Sequence, residues 1–413
     1  MLCLHGAPGR ASGTLILSTG PGAHTRFQRA SIAGSVGVTQ LIAFGTSLYL
    51  LAILANPIGL STGWSLPWIT GGMSVGLLAS AVVAPWVGEQ IAHKGGRKVL
   101  AASAVLFACG LVVIGLSQSL LVYMSGWALM GLGMASGLYD SAFSTLGRVF
   151  GDKTRPMISI IVIIGGFAST VFWIIGGLML ETLGWRTVCF AYAACHIAIN
   201  LPIFLVAVPS RLPEVKSETD HRARFHLSDY TDPKFLFLAL LFMLEVLVAT
   251  IMGVHLISLL GMMGQTLATA IAIAALLGPS QIAGRLIELA VGSRILPTTA
   301  TIIALLVMIA GLVFMALLPG MTTSAMLLYG AGIGVLSVVR GTLPLTLFSQ
   351  EFYPVLIGQI ARPIALTQAA APTIGALMLV NLGAAGSLLI LSGICIMALV
   401  AAIILRTMSD VTH

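Results

Sequence analysis

The sequence predicts an all-α polytopic membrane protein, with twelve transmembrane helices in two pseudo-symmetric six-helix bundles. Three observations carry that prediction. Of 413 residues, 58% are hydrophobic and only 8% charged, with a mean hydropathy of +1.05. A soluble domain carries roughly 25% charged residues, and no soluble core needs this much apolar surface. The apolar residues fall into runs of ~20, the length that crosses a bilayer. Finally, a polar stretch at 88–98 is echoed at 284–294, the two glycines that open them standing 196 residues apart. That is close to half the chain, as two similar halves require.

The elements follow in order. Residues 1–30 carry scattered Arg10, Arg26 and Arg29 and no sustained apolar core. This fits a cytoplasmic tail better than a secretory signal. The first span covers 32–55 and stops at Asn56 and Pro57. The second covers 66–87, entered through Trp64 and Trp68, which suit the interfacial belt. Spans three to six cover 99–117, 120–149, 157–183 and 188–208. Residues 209–234 then mix five cations with five acids and form the one long hydrophilic connection, a linker between bundles. Spans seven to twelve cover 235–261, 267–289, 297–318, 324–348, 363–382 and 386–405, with a short tail at 407–413. Gly131-x-Gly133 in span four is echoed by Gly332-x-Gly334 in span ten, an offset of 201.

The first polar stretch holds Gly88, Gly95, Gly96, Arg97 and Lys98. It must leave hydrocarbon and turn at the surface, with Gly95 and Gly96 making the reversal. It resembles the signature between the second and third helices of the major facilitator superfamily, G-x-x-x-D-[RK]-x-G-[RK]-[RK]. Ala92 stands where that signature has aspartate, and His93 where it has arginine. The second copy, Gly284, Arg285, Glu288 and Arg294, keeps the acid as Glu288. The resemblance implies that both stretches gate the movement of one bundle against the other, and the retained acid assigns more of that clamp to Glu288. It further implies that spans one, four, seven and ten line a central cavity. Looser similarity to the bacterial monocarboxylate and oxalate–formate branch rests on Thr62-Gly63-Trp64, on Gln281-x-x-Gly284-Arg285 and on a cationic span ten.

Orientation follows from lysine and arginine bias. With a cytoplasmic amino terminus, Lys94, Arg97, Lys98, Lys153, Arg155, Arg294, Arg362, Arg406 and the linker cations lie inside. Among loop cations only Arg186 then faces outward. Both termini are expected in the cytoplasm, with the protein in the inner membrane. The net charge of +7 reflects this topology rather than nucleic-acid binding.

An ionisable group inside a span costs about 2.5–3.5 kcal/mol on insertion and is usually functional. Asp140 lies in span four beside Tyr139, Glu245 and His255 in span seven, and Arg340 in span ten. The resemblance places all of these on cavity-lining helices. Arg340 cannot shed its proton, so it must face water, an acid or an anion. Asp140 and Glu245 are carboxylates able to carry a coupling proton. Gln281 stands one turn from Arg285 in span eight and could reach the cavity. His255 has a competing reading as a hydrogen-bonded packing residue, and His196 in span six reads as packing.

These residues point to secondary active transport of a small solute, an organic anion or metabolite, coupled to protons. A monomer with no cofactor and no resident metal is expected. Other readings stay open. Met252 and His255 share a helix face at i, i+3 and could serve a copper importer, since soft ligands suit Cu(I). A drug exporter is disfavoured because the Gly-Pro of the exporter signature is absent before Gly176 and Gly177. A transporter-like sensor would carry a larger soluble domain. No nucleophile–base cluster or H-E-x-x-H motif supports an enzyme, and five scattered cysteines form no disulfide framework.

Overall fold

The computed structural model describes residues 26–150, 154–209, 231–291, 294–348 and 353–410. The tail before residue 26, residues 210–230 of the linker and the last three residues lie outside the described set. Among the described residues, ten helical runs are long and apolar enough to cross a membrane. Two of them, of 48 and 50 residues, are about twice the length one crossing needs. Each contains one glycine with positive φ, Gly184 at 74° and Gly383 at 67°. A side chain there would be strained, and each glycine marks a reversal. The ten runs therefore make twelve crossings, and the reversals fall at the expected ends of spans five and eleven.

Span 1 is Arg26–Gly45 continued by Leu50–Thr62, span 2 is Leu66–Lys94 and span 3 is Gly96–Leu116. Span 4 is Leu120–Gly137 continued by Tyr139–Phe150. Span 5 starts as Thr154–Gly165 and resumes at Ala168, and span 6 follows Gly184 through a π turn at His196–Asn200 into Leu201–Ala207. Span 7 is Pro233–Met262, span 8 is Leu267–Ala275 continued by Leu277–Val291, span 9 is Pro297–Leu317 and span 10 is Thr322–Leu347. Spans 11 and 12 share Tyr353–Asp410. The starts follow local rules: Asp232 and Thr266 cap their helices through side-chain oxygens, and Pro67, Pro233 and Pro297 occupy first-turn positions.

Three expectations change. Span 1 begins at Arg26, inside the stretch read as tail. The polar stretch after Val87 is helical to Lys94, so the turn into span 3 shrinks to Gly95, whose φ is 85°. Likewise 284–291 is the last part of span 8, not loop. Both helices simply continue past the end of their apolar run, because charged residues do not stop a helix, and the first ends only at Gly95.

The internal repeat also has a different register. Gly131 meets the backbone of Gly76 on span 2, and Gly133 meets Phe107 on span 3. In the second half Gly330 meets Ser280 on span 8, and Gly332 meets Met308 on span 9. The structural match is thus Gly131 with Gly330, an offset of 199 rather than 201. Small residues let these backbones approach closely.

The largest core cluster joins both halves, from Leu54 and Trp173 to Leu256 and Ile271. It runs the length of the second half, to Leu343 and Leu405 near the termini end, and takes in the first half at the end away from the termini. There the second part of span 1 packs on span 7, the outer part of span 8 on span 5, and span 2 on span 11. At the termini end, a separate cluster around Val36, Leu146, Ile161 and Phe204 belongs to the first half alone. The halves are closed at one end and parted at the end that carries the termini. Exposed Leu60, Val82, Leu121 and Val206 ring the outside, where lipid covers them.

Candidate functional site

Four helices break near the centre. Span 1 loosens at 46–49, span 4 takes an extended Leu138 (ψ −173°), span 5 turns at Gly166 and Phe167, and span 8 turns at Leu276. Irregular backbone is tolerated at membrane depth only where protein or a cavity receives it. The freed carbonyls find side chains. In an unbroken helix Gly137 would accept from Ser141; here the Gln40 amide donates to it at 2.7 Å. The Ser141 hydroxyl donates to Ala135 at 2.6 Å. Pro279 has no N–H to offer Ala275, and Thr170 donates to that carbonyl at 2.6 Å instead.

Three adjoining cavities surround these breaks. The first, about 200 Å³, is walled by Phe44, Tyr49, Tyr139, Gln281, Arg285 and Tyr329 among others. The second, about 160 Å³, shares Phe44 and Tyr49 and adds Thr250, Glu245, Arg340 and Gln368. The third, about 180 Å³, runs towards the termini end past Gly88 and is lined by Ser80, Ser141, Ser144, Asp140 and Gln368.

Arg285 is held by two hydrogen bonds. Its Nε donates to the Ser337 hydroxyl at 2.9 Å and its Nη1 to the Val162 carbonyl at 3.2 Å. Ser337 in turn donates to Gly334 at 2.7 Å. Arg285 is not bonded to Glu288, which is half-buried on the same helix and lines none of the three cavities. The motif had grouped Arg285 with the gating stretch; the fold puts it on a cavity wall. Arg340 stands over the Phe242 ring at 5.8 Å, within cation–π range. Phe242 and Glu245 share a face of span 7. Glu245 is 8% exposed, and its Oε2 is buried without a hydrogen-bond partner. The Tyr329 hydroxyl is likewise buried and unpaired.

The remaining expected residues fall as follows. Tyr139 stacks on Phe143 at 5.0 Å and meets the tilted Phe44 ring at 4.4 Å, centroid to centroid. Asp140 is exposed in the third cavity, while Arg340 lies in the second with Glu245. Leu138, extended where span 4 breaks, lines the third cavity beside Asp140, apart from Arg340. His255 is fully buried, bonded through Nε2 to the Pro372 carbonyl at 2.8 Å, and lines none of the three cavities. His196 is bonded to Thr46 at 2.8 Å and stacked on Phe107. Gly95 turns the chain, Lys98 is exposed, and Arg97 donates to the Leu205 carbonyl, tying span 3 to span 6. The side chains of Ala92, His93 and Lys94 lie outside the described set. Among the described residues no group of three His, Cys, Asp or Glu could hold a metal ion.

Sequence reasoning missed Phe44, Tyr49, Tyr329, Thr250 and Gln368. All are uncharged, and a search for ionisable groups inside spans passes over them. An amide in an apolar run was the available signal for Gln368.

Known proteins share this architecture. A bacterial homologue of the human lysosomal transporter Spinster, inward-facing and unoccupied, superposes with a TM-score of 0.71 at 15% identity, covering 94% of this chain and 98% of that one. The nucleoside transporter NupG gives 0.73 at 12% identity over 91% of this chain and 99% of its own. A D-xylose–proton symporter gives 0.71 at 14% identity over 92% and 97%. At such identities the likeness speaks for the fold. In sequence, the MFS-type transporter pigP of Monascus ruber is 26% identical over 165 residues, which is 39% of this chain and 28% of that protein. The profile of the Major Facilitator Superfamily matches residues 36–361, from span 1 through span 10, and the chain belongs to that superfamily.

Proposed function

We propose that the protein moves a small organic anion across the inner membrane by alternating access, coupled to protons, with both termini in the cytoplasm. The observation that carries this reading is the pairing of two fixed cations, Arg285 and Arg340, on adjoining cavity walls against Glu245, the one buried carboxyl among the described residues. A fixed positive charge attracts an anion strongly where effective permittivity is low. Arg285 has two of its donors committed to Ser337 and Val162, which leaves others of the guanidinium fork for a carboxylate. Phe44, Tyr49 and Tyr139 offer an apolar body a flat wall. Glu245, beside Arg340, serves as the coupling carboxyl, and Asp140 as the residue that receives protons and solute on the open side.

Proton symport has a precedent in the fold, in the protein named for D-xylose and protons. The copper reading gains no support: Met252 is fully buried, and His255 holds Pro372. The test is ligand-induced stabilisation of purified protein. Organic monoanions should raise the unfolding temperature of wild type, and Arg340→Ala should abolish that rise. Stabilisation by sugars, cations or Cu(I) but not by anions would overturn the reading.

A further inference from the structure

Of the three places where the halves pack at the closed end, two are related to each other by the internal duplication. Span 5 meets span 8 on one side, and span 2 meets span 11 on the other. At the first, the Thr170 hydroxyl donates to the Ala275 carbonyl at 2.6 Å. At the second, the Ser74 and Thr373 hydroxyls are bonded at 2.9 Å. Ser74 and Ala275 are 201 residues apart, and Thr170 and Thr373 are 203 apart, close to the offset of the matched glycines. The first contact lies beyond the cavity, on the side away from the termini, Thr170 one turn past Gly166 and Ala275 two residues past Leu277. The second is level with the cavities, Ser74 standing between Met73 and Leu77.

Each latch joins one half to the other. The sequence prepares the first in two ways. Pro279 deprives the Ala275 carbonyl of its intrahelical donor. Gly278 lets the helices close, since a Cβ there would come within 2.8 Å of the Gly166 carbonyl. Ile271, one turn nearer the outer end, is 8% exposed and seats against Gly177 of span 5.

We propose that the Thr170–Ala275 and Ser74–Thr373 contacts are a matched pair of hydroxyl latches that hold the far gate shut, and that breaking them shifts the protein towards the state open on that side. A neutral hydrogen bond left unmade changes such an equilibrium by roughly five-fold. The inference does not depend on which solute is carried.

The experiment measures labelling of Ile271→Cys, in full-length protein whose native cysteines are replaced by serine. A membrane-impermeant maleimide is added to the side away from the termini. The labelling rate reads the open population. Thr170→Val and Ser74→Ala should each raise it roughly five-fold, with the double variant higher still, and Thr170→Ser should stay near the parent rate. Pro279→Ala returns an amide donor that competes with the Thr170 hydroxyl for the Ala275 carbonyl and touches no latch side chain; it should raise the rate in the same direction as Thr170→Val and by less. This variant keeps the test open if Thr170→Val does not fold. An unchanged rate in the double variant and in Pro279→Ala, or an equal rise in Thr170→Ser, would overturn the proposal.

Discussion

Arg285 of span 8 is hydrogen-bonded to the main-chain carbonyl of Val162 on span 5, at 3.2 Å. A cation of the second half is thereby bonded to the backbone of the first, at the wall of a cavity. Arg285→Lys should raise the apparent KM for an anionic solute by roughly ten- to a hundred-fold, the span expected for a hydrogen bond to a charged group. A lysine has its three donors on one nitrogen, so it cannot span Ser337 and Val162 from separate nitrogens and still offer a planar fork to a carboxylate. Ser337→Ala should give a smaller rise, because it frees the guanidinium without removing it. Concentration-dependent uptake measures both, and an unchanged KM in Arg285→Lys would show that its role is confined to packing.

Glu245 and Asp140 occupy different chambers, which separates their expected phenotypes. Glu245→Gln should abolish accumulation driven by a proton gradient while sparing exchange of solute for solute. Its uptake should lose pH dependence. Asp140→Asn should retain accumulation and alter only the rate of entry from the open side. Counterflow and gradient-driven uptake, measured on the same vesicles, distinguish the two. The reverse assignment would make Asp140 the coupling carboxyl.

His255 holds the Pro372 carbonyl where spans 7 and 11 pack. His255→Ala should lower stability by about 1–3 kcal/mol through the unpaired acceptor and leave KM unchanged. Thermal unfolding in detergent, set beside uptake kinetics, checks this. A large change in KM at unaltered stability would return His255 to the transport site.

Gly184 and Gly383 make the two reversals with positive φ. Gly184→Ala and Gly383→Ala should each cost about 1–2 kcal/mol. Gly393→Ala, a helical position with open space around the missing Cβ, should cost nothing. Unfolding midpoints of the three variants provide the comparison.

Much of this fold was legible because lipid imposes length. Runs of ~20 apolar residues located all twelve crossings, and the breaks at Gly184 and Gly383 fall where the runs stop. Helix ends were less legible, since Gly88 to Lys94 and Arg285 to Val291 look like surface loop by charge yet continue as helix. The site was legible where it is ionised, as at Glu245 and Arg340. It was not where aromatic and amide residues do the lining, because Tyr49, Tyr329 and Gln368 differ little in pattern from packing residues. The chamber that Asp140 shares with the extended Leu138, apart from Arg340, is one that no periodicity announces.

The most direct test of the account is uptake of radiolabelled organic anions into proteoliposomes under an imposed proton gradient, comparing wild type with Arg340→Lys and Glu245→Gln. Wild type should accumulate an anion, and do so more as the gradient steepens. Arg340→Lys should keep the gradient dependence but need a higher solute concentration, and Glu245→Gln should equilibrate the solute without concentrating it. Accumulation of a cation or neutral solute by wild type, with both variants behaving as wild type, would contradict the assignment of these two residues and the anionic substrate together.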